Sequence, residues 1–321
     1  MLRTSLAPHF KATHLRFRRI TTSSADIQAL DKWIATPQRT QIHDTLSEGH
    51  ISDLFVTIPT RDGTRAAFRR PRSGSPLSPG HHLVFFHPRH PEHALRPDGT
   101  EPDFCPPEPF TRRMWVGGKI RWNHDKPLVV GGKATATWEI ENVAKKGFEK
   151  ESPMVFVNQR IRYRMEGMPD SDVCVDEERS HVYLAHAAKG TKAPREVKDI
   201  PKSSDFSFSF TPTPTTLFRF SALIFNAHFN HLDKEFSQQV EEGSISERLV
   251  HGPLTALMLL DATTFCNQGS QIKSFEYRAT NPLIVNRELT FHGSWLQDKQ
   301  ARVWCVDDEG VVGMTGLIEI A

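Results

Sequence analysis

The sequence predicts an α+β fold in which one unit, an antiparallel sheet wrapped round a buried helix, occurs twice. Three observations carry this. After Thr111 the chain runs in β-rich stretches (RMWVGGKIRW, LVVGGKATATWEIENVAKK, MVFVNQRIRYRM, ERSHVYLAH) separated by Gly-Gly and Glu-Gly-Met-Pro turns. The motif Lys126-Pro127-Leu128-Val129-Val130-Gly131 returns half a chain later as Asn281-Pro282-Leu283-Ile284-Val285-Asn286. Each copy follows an aromatic/Arg strand end and precedes a long strand, so one domain is written twice. Finally, Leu254, Leu257, Met258, Leu259, Leu260 and Phe265 make one segment apolar almost all round, the pattern of a helix buried on every side.

Composition narrows the function classes. The 321 residues are 38% apolar and 24% charged, enough for sizeable cores. No apolar run reaches the roughly 18–20 residues of a membrane span. A net charge of +2 gives no reason to expect nucleic acid as a partner. Cys105, Cys174, Cys266 and Cys305 form no CxxC pair, which excludes a zinc ribbon and a dithiol redox motif. Four unpaired thiols suit a reducing compartment, and the apolar surroundings of Cys174, Cys266 and Cys305 suit packing as small hydrophobes. Residues 1–24 carry Arg3, Lys11, Arg16, Arg18 and Arg19 among Ser and Thr, with no acid before Asp26. That composition is expected of a mitochondrial transit segment, which would place the protein in the matrix; a basic tail is the alternative.

The elements follow in order. Residues 25–58 are expected as a helical entry capped by Ser24, with apolar positions at Ile27, Leu30, Trp33 and Ile34. Residues 59–82 are a loop, HLVFFHP (82–88) a short buried segment, and 88–109 a long proline-dense loop of the kind that usually serves function. The strands then complete a first domain over 25–187. A Lys-, Pro- and Ser-rich linker spans 188–204, and a second domain covers 205–321. In the second, FSFSFTPT and LFRFSALIF read as a β-arm. Pro253 sits at the first turn of the apolar helix, where its missing N–H has no intrahelical partner. The strands FEYRAT, LIV, ELTFHGSW, RVWCVD and VVGMTGLIEI follow. One helix wrapped by such a sheet is a hotdog, and the chain is expected to be a double one: two antiparallel sheets, each round a buried helix.

Chemistry concentrates in FNAHFNHLD (225–233), just ahead of that helix. His228, His231 and Asp233 lack a further His or Cys to complete a zinc set, so no metal is expected. A polar turn with Asn and His capping backbone groups is a second reading. A third is catalytic: Gly252 opens a buried helix, whose N-terminal amides carry partial positive charge. A histidine base beside such an oxyanion donor is the minimum for taking a proton α to a carbonyl. Ser221 has no G-x-S-x-G elbow and is read as structural.

FSALIFNAHFNHLD followed by LVHGPLTALMLLDA resembles the MaoC-like (R)-specific enoyl-thioester hydratase/dehydratase family. PRHPEHALRPDGTEP and PPEPFTRRMWVGGKIRW are similar to the N-terminal half of its fused double-hotdog members, hydroxyacyl-thioester dehydratases type 2 and mesaconyl-C4-CoA hydratases. The resemblance implies His231 as the catalytic histidine and Gly252 as the oxyanion glycine. Asn226 stands where the wider family has a catalytic aspartate, and there an amide orients the hydroxyl or water. Asp233 is a candidate to fix the histidine tautomer, or faces solvent. His228 and His251 are supporting residues, His251 by shaping the turn. Arg112, Arg113 and Arg219 are candidates for phosphate or carboxylate contacts, or surface ion-pair partners. The first half shows no matching dyad. The implied substrate is an acyl-CoA or acyl-carrier-protein thioester, with no cofactor; a homodimer of fused chains is a further expectation. Three functions compete: (R)-3-hydroxyacyl-thioester dehydration in mitochondrial type II fatty acid synthesis, hydration of a C4–C5 dicarboxylyl-CoA, and non-catalytic acyl-thioester binding. A thioesterase is a weaker fourth.

Overall fold

The computed structural model describes residues 23–150, 152–185, 193–240, 245–297 and 299–321. Residues 1–22 of the expected transit segment and 188–192 of the expected linker lie outside these residues.

Helix α1 (Ser24–Ala35) starts at a capping box. Ser23 Oγ accepts from the Asp26 amide while Asp26 Oδ2 accepts from the Ser23 amide. Strand β1 (Arg39–Thr45) follows, then α2 (Glu48–Phe55). The helical entry expected over 25–58 is therefore broken by a strand. RTQIHDT alternates half-buried and exposed positions at an outer sheet edge, too polar to stand out as a strand. The next strands are β2 (Arg112–Trp122), β3 (Lys133–Lys146), β4 (Met154–Met165), β5 (Val175–Leu184) and β6 (Phe206–Phe210). Helices α3 (Pro214–Leu223), α4 (Phe229–Leu232), α5 (Lys234–Val240) and α6 (Gly252–Cys266) come next. The chain closes with β7 (Ile272–Ala279), β8 (Leu289–Gln297), β9 (Gln300–Asp307) and β10 (Val312–Ile320).

Together the strands form one antiparallel sheet in the order β1-β3-β4-β5-β2-β7-β10-β9-β8-β6. Read from its two edges, the sheet repeats a single topology: 1-3-4-5-2 is matched by 6-8-9-10-7. This is the double hotdog. The two sheets expected from the sequence are halves of this one sheet, joined through β2 and β7, with Gly118 opposite Tyr277 and Ile120 opposite Phe275. The repeated motif occupies equivalent places in each half. Val129 bridges Pro76 and Ile284 bridges Leu249, and Gly131 (φ 83°) and Asn286 (φ 69°) both turn through the left-handed region. LIV (283–285) is thus one bridge, not a strand.

The two halves differ inside. In the second, α6 is buried continuously from Leu254 to Thr263. In the first, the short buried segment expected over 82–88 forms a single 3₁₀ turn, His81–Val84, followed by the buried Phe85 and Phe86, in place of a long helix. The arm PTTLFRFSAL is helix α3, not β: Thr213 and Thr216 form a capping box and Pro214 opens the first turn. Aromatic and β-branched residues hide this signal. Cys174 and Cys305 are buried as expected, whereas Cys266, at the end of α6, is exposed.

Candidate active site

Helix α3 ends at Leu223, and its last turn aims the chain at the N-terminus of α6. Asn226 N–H donates to Ser221 carbonyl (2.9 Å) across Phe225, which takes the left-handed φ of 47° usually given to glycine. Asn226 Oδ1 then accepts from the His228 amide (3.0 Å). This turn leaves the Asn226 NH₂ without a partner among the described residues. One turn of helix, α4, then carries His231.

Three imidazoles meet here. His231 Nδ1 lies 2.8 Å from the Leu249 carbonyl, so it is the protonated nitrogen that donates, and the Nε2 lone pair is left free. The His231 ring stacks on His251 at 3.7 Å between centroids and meets His228 edge-on at 5.4 Å. His251 is itself fixed, with Nε2 and Ser221 Oγ hydrogen-bonded at 2.8 Å. Burial, reinforced by the charge of Arg113 and only partly opposed by the Leu249 carbonyl, lowers the His231 pKa to about 4. Burial first, with the neighbouring histidines and, for His228, Arg113 and Arg96, also holds His228 and His251 well below the usual imidazole value. The ring is therefore neutral at physiological pH, as a base must be.

Gly252 is the first residue of α6, and the amides of a first helical turn lack intrahelical partners. No left-handed backbone demands glycine here. A methyl group at this position would rest against Trp115 Cβ at 3.4 Å, so the missing side chain keeps the helix mouth open. A neutral imidazole beside such a mouth suits proton transfer next to a carbonyl whose oxygen the amides hold.

The first half covers this site. Asp98 carbonyl accepts from the Phe229 amide (3.0 Å), and Asp98 Oδ2 lies 3.8 Å from His228 Nε2. Gly99 (φ 80°) passes so close to Ala227 that a Cβ would fall 2.2 Å from the Ala227 oxygen. The proline-dense loop thus packs on the turn that carries His228 and His231. Within it, His90 bridges to Asp103 at 2.6 Å. Strand β2 contributes Arg113 and Trp115 from one face, opposite Tyr183 and His181 of β5.

The predicted residues separate accordingly. Asn226, His228, His231, His251 and Gly252 come together, and the charge of Arg113 reaches His231 and His228. Asp233 does not: it is exposed, and its Oδ1 accepts from the Phe236 amide at the start of α5, while the Leu249 carbonyl fixes the His231 tautomer. The grouping of His228, His231 and Asp233 weighed for zinc is therefore not a convergent set. Arg219 is exposed on α3 and donates to the Val56 carbonyl (3.3 Å). Arg112, next to Arg113, points to the other face of β2. Sequence reasoning missed Leu249, whose contribution is a backbone oxygen, and the roles of Asp98, Trp115 and Ser221. Only the loop of 88–109 gave a signal for any of these.

A double hotdog with a neutral histidine at the mouth of its buried helix defines a class: a MaoC-like hydro-lyase of acyl thioesters. The profile of hydroxyacyl-thioester dehydratase type 2 matches residues 80–285, and the chain belongs to that family. Mesaconyl-C(4)-CoA hydratase of Chloroflexus aurantiacus is 33% identical over 82% of this chain and 86% of its own. The mitochondrial hydroxyacyl-thioester dehydratase type 2 of Schizosaccharomyces pombe is 28% identical over 66% and 76%. A MaoC-like dehydratase structure from Phytophthora capsici superposes with a TM-score of 0.62 at 18% identity, covering 91% of this chain and 97% of that one, a likeness of fold.

Proposed function

We propose that this protein catalyses the reversible, (R)-specific addition of water to trans-2-enoyl thioesters, with 205–321 as the catalytic domain and 25–187 as a cover without a dyad of its own. The observation that carries the reading is the free Nε2 of a neutral His231 beside the open N-terminus of α6.

In the dehydration direction, His231 Nε2 takes the C2 proton of a 3-hydroxyacyl thioester. Gly252 N–H and the helix dipole stabilise the enolate-like oxygen; a lost donor of that kind costs about 3 kcal/mol. The resulting imidazolium, strongly acidic because its surroundings disfavour charge, returns the proton to the leaving hydroxyl. The C3–O bond breaks, the C2=C3 bond forms, and water departs. One group serving both steps favours syn elimination. Asn226 orients the hydroxyl or water through its unpartnered NH₂; it is no base, so His231 carries the proton alone. Stacking on His251 holds the ring in place.

Two acyl classes compete. Mitochondrial fatty acid synthesis draws support from the basic segment 1–24 and the S. pombe relative, and we place the protein in the matrix on the same grounds. A short dicarboxylyl-CoA draws support from the C. aurantiacus relative and from one feature of the site, a cation without an anion, and this favours it. The test is incubation of the purified protein with crotonyl-CoA, fumaryl-CoA and a longer trans-2-enoyl-CoA, followed by enoyl absorbance and the chirality of the product. Hydration to the (R)-3-hydroxyacyl product, or to the (S)-malyl product that addition to the same face of fumaryl-CoA gives, supports the reading. Acyl-CoA binding with no hydration of any ester sinks it in favour of a binding module, and free-thiol release sinks it in favour of a thioesterase.

A further inference from the structure

Two arginines of the first half lie beside Trp115, and they are partnered differently. Arg179 is clamped: its guanidinium lies 4.8 Å from the rings of both Trp115 and Trp138, and Glu177 is 2.7 Å away. Buried charges are normally matched in this way. Arg113 shares the β2 face of Trp115, and Trp115 in turn touches the mouth of α6 at Gly252. Yet Arg113 makes no ion pair among the described residues. The Tyr183 hydroxyl is a hydrogen-bonding neighbour of Arg113, and the charges of Asp98 and Glu101 act on Arg113 without forming an ion pair. The charge of Arg113 lowers the pKa of His231, His228 and His181, so all three lie within its electrostatic reach. Among the described residues the Arg96 guanidinium is hydrogen-bonded to neutral groups, the Cys105 thiol and the Thr111 carbonyl.

An unmatched cation facing a catalytic histidine is costly unless the ligand supplies the anion. It also lowers the basicity of that histidine. An alkyl chain would gain nothing from such a neighbour. The CoA phosphates lie at the far end of the pantetheine arm, away from the thioester. The anion that belongs beside the reacting carbons is a carboxylate carried on C3 itself.

We infer that Arg113 is the specificity-determining residue of the site, and that it pairs with the free carboxylate of a short thioester bearing that carboxylate on C3. This rests on the thioester hydratase reading above. A planar guanidinium matches a carboxylate with two parallel hydrogen bonds. Holding C3 by its carboxylate fixes which face meets the water oriented by Asn226. Water then adds with its hydroxyl on C3 and its proton on C2, and nothing is oxidised or reduced.

The test uses matched ligands and does not depend on turnover alone. Succinyl-CoA and butyryl-CoA differ only by carboxylate against methyl and cannot be hydrated; fumaryl-CoA and crotonyl-CoA are their hydratable counterparts. The full chain and its Arg113→Gln and Arg113→Lys variants are compared by calorimetric binding and by hydration rate. Wild type is expected to bind succinyl-CoA more tightly than butyryl-CoA. Arg113→Gln is expected to abolish that preference and to cost at least about thirtyfold in kcat/KM on fumaryl-CoA, with crotonyl-CoA changed less than about threefold. Arg113→Lys, which keeps the charge without the fork, is expected to retain part of the preference. Equal binding of the two saturated esters by wild type overturns the inference. So does an equal loss on all esters in Arg113→Gln, which would mark a phosphate contact or a fold role. A carboxylate preference in binding with no hydration would leave Arg113 assigned and refute the hydratase reading instead.

Discussion

His231 should make the protein acid-sensitive, by a calculable amount. Its imidazole titrates near 6.5 in an unfolded chain and near 4 in the native site. Between those values the unfolded chain binds more protons than the native one, so stability rises with pH there. The contribution is fully present above pH 6.5 and is lost as pH falls towards 4. The whole shift corresponds to about 3 kcal/mol, of which about 2 kcal/mol is expressed by pH 5. His228 and His251 are displaced in the same direction by the same burial and add to the slope. Urea denaturation at about pH 8 and about pH 5, on wild type and on His231→Gln, separates the His231 share. The variant cannot titrate at that position, so its loss of stability between the two pH values should be smaller by about 2 kcal/mol. A variant with the wild-type slope, to within about 0.5 kcal/mol, would mean that His231 is not held neutral, and the argument for a free base would fail with it.

Other consequences follow from the packing. Asp261, buried in the middle of α6, accepts from Arg61 at 2.8 Å, from His81 at 3.2 Å and from Thr60. Breaking a buried pair of this kind costs about 3–5 kcal/mol; Asp261→Asn should sit near the lower end, because the Arg61 side chain is 29% exposed, and denaturant melts read the loss directly. Gly99→Ala forces a methyl into the Ala227 carbonyl and a side chain into the left-handed region, a strain of about 1–2 kcal/mol before the clash; hydration activity should fall as the cover lifts from the catalytic turn, and native-state hydrogen exchange at residues 225–233 should rise. Gly252→Ala has room for its methyl, so its melting temperature should stay close to wild type while hydration drops; a variant that unfolds would show that the glycine is there for the backbone.

The sequence and the fold agree most closely where a pattern is local. The all-apolar run of α6, the Gly252-Pro253 start and the long strands were readable because burial on all sides or on one face leaves a period in the residues themselves. The repeat around Pro127 and Pro282 was readable for the same reason, and both copies turn at equivalent positions. Strand β1 escaped because an exposed edge needs no apolar alternation. Helix α3 escaped because TTLFRF favours a strand locally, although the Thr213–Thr216 capping box marked a helix start. The join of β2 to β7 is long-range pairing, which no local pattern encodes. At the site, the histidines were visible as a cluster, but their division of labour was not. The partner of His231 is the Leu249 carbonyl, an atom every residue has. By sequence Asp233 suits that role equally, but its Oδ1 caps α5. Among Arg112, Arg113 and Arg219, only strand register and helix facing separate the one over the site from the others.

The most direct test of the account is the hydration rate of His231→Ala beside wild type on whichever enoyl-CoA the native protein accepts, with folding checked by its melting curve. A positioned acid–base group contributes about 10²–10⁴-fold, so the variant is expected to stay folded and lose at least a hundredfold in kcat. A folded variant retaining more than about a tenth of the wild-type rate would contradict the assignment of His231 as the proton carrier.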